Sequence, residues 1–145
     1  MSIVPDMQNS EIMVYVLQKL FDISSRKTTQ QQALSTMSGL IKKFEDKYGF
    51  LRHVELKDTR FSELEEPISI MSDVDTINSD EVGKALYDII RNMNMALGKN
   101  AGHFFIKELR TRMDENYITT IEDMGLDLGL MQLEFEVNQM TRKLD

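Results

Sequence analysis

Apolar residues recur along most of this chain at intervals of three and four, the spacing that lines one face of an α-helix. Over residues 9–23 they are Ile12, Met13, Val16, Leu17, Leu20, Phe21 and Ile23, a stripe broader than a surface helix needs. That breadth predicts a helix that is either central in the domain or shared with a partner. Arg26 and Lys27 follow near its end, where cations suit the helix dipole. Thr29 with Gln32 three residues on makes a capping box and opens a second predicted helix that reaches about Tyr48. Its inner face is Leu34, Met37, Ile41, Phe44 and Tyr48, with Gly49 the expected left-handed terminator. The same spacing would also serve a coiled-coil-like dimer seam.

The helical period breaks after Gly49. Phe50, Arg52, Val54 and Leu56 alternate with Leu51, His53 and Glu55, which predicts a strand, and Ile68, Ser69 and Ile70 after Pro67 are its expected partner in a small hairpin. The connection through Phe61, Glu63, Glu65 and Glu66 reads as an exposed acidic loop. Two strands alone are marginal, so their apolar side must rest on helices. Residues 55–81 hold nine Asp or Glu against Lys57 and Arg60, the character of a connecting region.

Residues 79–113 carry the strongest helical periodicity. Val82, Leu86, Ile89, Met93 and Leu97 share a face, Ser79 is the expected N-cap, and Asp80 and Glu81 suit the first turn. Gly98 is placed to end that helix, and Asn100 to cap another with Phe105, Leu109 and Met113 inside. Two helices pivoting on Gly98, Lys99 and Asn100 are expected. Asp114 then caps a short helix through Tyr117, Ile121 and Met124, stopped by Gly125.

The last segment fits two periods. Met131, Leu133, Phe135 and Val137 alternate with polar residues as in a half-buried strand. Leu126, Leu130, Leu133, Val137, Met140 and Leu144 form a heptad stripe. Strands seldom run that long, so helix is favoured, with Phe135 off the stripe as the residue that supports a strand. The expected fold class is a mainly α, single-domain bundle of about six helices with a small β-hairpin; the alternative is α+β with a C-terminal strand. Within one domain over 1–145, residues 1–49 form an N-terminal helical pair, 50–78 the hairpin and acidic connection, and 79–145 a C-terminal helical part.

Composition narrows the function. The 145 residues suffice for one core, and a net charge of −7 repels a phosphate backbone, which disfavours nucleic acid as partner. With no cysteine, disulfides, thiolate metal sites and a Cys nucleophile are excluded. No apolar run approaches the roughly 18 residues of a membrane span. The opening MSIVPDMQNSE lacks the basic region and apolar core of a signal peptide, so a cytoplasmic protein without membrane association is expected. Eleven methionines point first to core filling.

Gly98, Lys99, Asn100, Gly102 and His103 resemble a phosphate-binding loop, but a Walker motif needs glycine at Met93 and Ser or Thr at Asn100. What remains is a generic anion site in which Lys107 joins them, with Arg110 nearby, against the plainer reading of a structural turn with solvated cations. Asp73, Asp75, Asn78 and Asp80 resemble a calcium loop but place Ile77 and Asn78 where a ligand and a glycine belong, so no metal is assigned. Turn formation and capping account for those residues. His53 and His103 are the only histidines, and no motif pairs either with a carboxylate. No catalytic residue and no cofactor is nominated.

The leading expectation is a non-enzymatic interaction or regulatory module, homodimeric, recognising a partner protein or its own copy through helical faces. Its motive is that the stripes of the first and last helices exceed obvious need. The alternative is a small-ligand sensor with an apolar pocket lined by Met93, Met95, Phe104 and Phe105 and an anionic ligand end near Lys99. The third is a small acid-base enzyme built on a histidine.

Overall fold

The computed structural model describes residues 7–57, 68–101 and 105–144, with the backbone alone at 97–101 and 139–144. The fold is mainly α: α1 (Asn9–Lys27), α2 (Gln30–Phe44), α3 (Ser79–Ala101), α4 (Phe105–Arg112), α5 (Glu115–Asp123) and α6 (Leu128–Leu144). Strands β1 (Val54–Leu56) and β2 (Ile68–Ile70) pair antiparallel, with Val54 opposite Ile70 and Leu56 opposite Ile68. The expected acidic loop between the strands lies outside the described residues.

Helix α1 is central. It packs against α2, α3, α4 and β2, and Ile12, Met13, Val16, Leu17, Leu20, Phe21 and Ile23 are all buried. The whole broad stripe of this helix is thereby consumed inside the fold. Helix α2 begins as its sequence dictates, with Thr29 Oγ1 accepting the Gln32 N–H at 3.0 Å. Helix α3 supplies Val82, Ala85, Leu86, Ile89, Ile90 and Met93 to the core. Its cap is one residue earlier than expected, because Asn78 Oδ1 accepts the Asp80 N–H at 3.2 Å.

Helix α5 docks on α1 through two tyrosines. The rings of Tyr15 and Tyr117 stack with centroids 3.6 Å apart, and the Asp114 N–H donates to the Tyr15 hydroxyl at 2.8 Å. Gly125 then ends α5 as expected, with φ of 92°. The Leu126 N–H donates to Ile121 O and the Gly125 N–H to Glu122 O, the double closure of a Schellman motif, and Ile121 and Leu126 are buried together beneath it.

Three local expectations are corrected. Gly49 does not terminate α2, which ends at Phe44; a turn follows, and Gly49 opens a 3₁₀ helix, Gly49–His53. The early exit brings buried Tyr48 to α3, where its hydroxyl donates to Asp88 at 2.7 Å. The strand expected from Phe50 starts only at Val54, because the 3₁₀ turn buries Leu51 completely. Gly98 does not end α3, which continues to Ala101, so Asn100 lies within α3 and α4 opens at Phe105. Glycine in a helix interior costs about 1 kcal/mol relative to alanine. The ambiguous last segment is helical, as favoured, with Phe135 half-buried.

Candidate functional site

Two surface features hold chemistry that the core does not consume. The first is α6. Asp127 caps it, with Oδ1 accepting the Leu130 N–H at 3.0 Å, and Leu128 and Met131 anchor its first turn in the core beside α4. Tyr87 of α3 donates to Glu134 Oε2 at 3.2 Å and ties down one flank. On another side three members of the heptad stripe are exposed: Leu130, Leu133 and Val137 at 53%, 55% and 51%. The helix backbone carries the register on to Leu144.

The second feature is an open cleft of about 540 Å³ lined by Lys47, Tyr48, Glu81, Lys84, Tyr87, Asp88 and Gly125. The turn after α2 lays Lys47 and Tyr48 across α3, where Asp88 Oδ2 accepts from Lys47 Nζ at 3.2 Å and from the Tyr48 hydroxyl at 2.7 Å. Lys47 Nζ also sits 5.2 Å from the centre of the Tyr48 ring, and Lys84 pairs with Glu81 at 3.7 Å. Burial, reinforced by the hydrogen bond to Asp88, raises the Tyr48 phenol above its ordinary range while Lys47 opposes. The hydrogen bond to Asp88 raises Lys47, and burial followed by Glu134 raises Tyr87. All three shifts move away from neutral pH, so these groups stay protonated there and suit binding better than proton transfer.

Among the described residues, none of those nominated from sequence lines the cleft or the exposed face of α6. Met93 and Phe105 are fully buried in the core, whereas Met95 is 58% exposed on α3. Gly98, Lys99 and Asn100 lie in the last turns of α3; Gly102, His103 and Phe104 lie outside the described residues. Lys107 is exposed on α4, and His53 is half-buried in the 3₁₀ turn before β1.

The acidic residues that resemble a calcium loop serve as caps and turns. Asp75 receives both donors of Ser10, and Asn78 opens α3. Among the described residues no cluster of three or more His, Asp or Glu could hold a metal ion, and no helix is long and apolar enough to cross a membrane.

Lys47, Tyr87 and Asp88 were not singled out by sequence reasoning. Lys47 and Asp88 meet across 41 residues, so no local spacing announces them. Glu81, Lys84 and Asp88 do fall at helical intervals on the polar side of α3, a faint signal in hindsight. Comparison of the chain with protein families, curated proteins and solved structures found no match, so the functional reading rests on the surface itself.

Proposed function

We propose that the protein is a non-enzymatic interaction or regulatory module that pairs with a second copy of itself through the exposed face of α6. The observation that carries this is the exposure of Leu130 and Leu133, each above one half, on a helix whose apolar register continues beyond them. A seam of this kind is self-complementary, which suits a two-fold pairing. In the heptad register Glu136 and Lys143 occupy the same flanking position one repeat apart, so an antiparallel pairing sets an acidic position against a basic one.

Magnitudes set the expected strength. Burying the exposed half of a leucine contributes about 1 kcal/mol, so the four leucines of two copies supply about 4 kcal/mol. That only meets the low end of the association cost, about 4–15 kcal/mol. A micromolar dissociation constant requires about 8 kcal/mol net of that cost, so the rest of the seam must supply most of the affinity. Light scattering after size exclusion tests the assignment: wild type runs at dimer mass, and Leu130→Glu with Leu133→Glu runs as a monomer of unchanged helicity. Equal masses for the two proteins would remove the α6 assignment.

The cleft beside Tyr48 favours a second reading, a small-ligand sensor. Its volume is in the range of ligand sites, although its lining is Lys47, Lys84 and Asp88 in place of the methionines and phenylalanines expected. Native mass spectrometry of gently purified protein tests it; a retained small molecule whose binding is lost in Asp88→Ala supports the sensor, and bare protein mass opposes it.

A further inference from the structure

The C-terminal end of α1 and the helix α4 build a basic patch on an acidic protein. Three cations converge on the single carboxylate of Glu108: Arg26 Nη2 at 3.2 Å, Lys27 Nζ at 3.5 Å and Arg112 Nε at 3.5 Å. Burial pushes the Glu108 carboxyl up, but Lys27, Arg26 and Arg112 together outweigh it and hold the group below its ordinary value. The cluster is nevertheless left with more positive than negative charge. Lys107 and Arg110 stand exposed on α4, three residues apart and so on neighbouring positions of the helix surface. Neither forms an ion pair among the described residues.

Three cations therefore face one carboxylate here, and Lys107 and Arg110 add two more on the other flank of α4, about 100° and 160° around the helix from Glu108. Hydrogen-bond capacity is also left over, because a guanidinium carries five N–H donors and Glu108 engages Arg26 and Arg112 at one nitrogen each. Both arginines are partly exposed, at 50% and 43% of the side chain, so their remaining donors can reach an incoming oxygen acid.

We infer that this patch is a docking surface for a short acidic segment of a partner protein, whose carboxylates take the donors that Glu108 leaves unused. Planar carboxylates match the guanidinium fork. A nucleic acid fits less well, since its backbone charge repeats every few ångströms and would run from the patch onto the acidic remainder of the surface. The site is separate from the α6 face and does not depend on self-association.

The test is fluorescence anisotropy with the full chain and a short fluorescein-labelled peptide of alternating Asp and Glu. Saturable binding that weakens with added salt is expected. Arg26→Gln with Arg112→Gln should weaken it about fivefold or more. Lys107→Gln with Arg110→Gln should act in the same direction, and because these residues brace no ion pair among the described residues, their variant guards against a loss through misfolding. Lys42→Gln with Lys43→Gln on α2 should leave binding unchanged. Absence of saturable binding, equal weakening by the α2 variant, or no effect of either patch variant would overturn the proposal. So would tighter binding of a single-stranded oligonucleotide of equal charge, which would make nucleic acid the occupant.

Discussion

Asp75 caps the first turn of α1 from across the fold: its Oδ1 accepts the Ser10 backbone N–H at 2.8 Å and its Oδ2 accepts the Ser10 hydroxyl at 3.2 Å. Gln8, the residue placed to cap α1 locally, makes no side-chain cap bond. The neighbouring Asn9 carboxamide donates to the carbonyls of Val74 and Ile77 at 2.9 and 2.7 Å, so the 3₁₀ turn Ser72–Thr76 and α1 hold each other. Removing a cap of this type costs about 1–2 kcal/mol. Urea denaturation of Asp75→Ala should show a loss of that size, with Asp75→Asn losing less. A change within about 0.5 kcal/mol would place Asp75 among ordinary surface residues.

Gly83 of α3 lies against the backbone of Met124 at the end of α5. A Cβ at this position would overlap the Met124 carbonyl oxygen, which belongs to the backbone and has little room to yield. Alanine in a helix interior gains about 1 kcal/mol over glycine, whereas forcing an overpacked contact costs about 1–3 kcal/mol. The overlap should win. Gly83→Ala is expected to lower the melting temperature, and a raised one would show that α3 and α5 are not in this close contact.

Phe105 and Met95 were grouped from sequence as lining of one apolar pocket, and the structure gives them opposite environments. Phe105→Ala should cost about 3–5 kcal/mol, the penalty for truncating a fully buried phenylalanine. Met95→Ala should change stability by less than about 0.5 kcal/mol. Chemical denaturation distinguishes the two, and similar losses at both positions would restore the shared pocket.

Three tyrosines set the alkaline limit. Burial raises Tyr48, Tyr87 and Tyr117 first, and Asp88, Glu134 and Glu11 respectively raise them further. Unfolded phenols lose their protons near about pH 10. The folded ones retain them to higher pH, so above pH 10 the unfolded state binds fewer protons and stability falls as pH rises through the folded values. Glu108 acts at the other end: its carboxyl is lowered, so its contribution is present above the unfolded value and fades as pH falls. Phenolate absorbance titration of the native protein should show at least three tyrosines titrating above the denatured sample. Coincident curves would contradict the burial of these phenols.

Signals confined to a few consecutive residues were legible in the sequence. Thr29 with Gln32 does open α2, Gly125 does close α5, and the long heptad stripe of α6 does override its strand-like alternation. The misread positions were decided by distant partners. Gly49 looks like a terminator, but the chain leaves α2 earlier to bring Tyr48 to Asp88, 40 residues away. Periodicity also says that a face is apolar without saying what covers it. The stripes of α1 and α6 look alike in sequence, yet the first is spent on α2, α3 and α4, while Leu130 and Leu133 of the second remain in solvent. The cleft at Lys47 and Asp88 and the cluster at Glu108 are assembled from residues 41 and 82 apart, and no local motif encodes them.

Self-association through that exposed face is the central claim, and sedimentation velocity of the full chain from nanomolar to high micromolar concentration tests it most directly. The account predicts a reversible shift from monomer to dimer with a midpoint in the micromolar range, abolished when Leu133 is replaced by Glu. A strict monomer throughout, or a dimer that Leu133→Glu leaves intact, would contradict it.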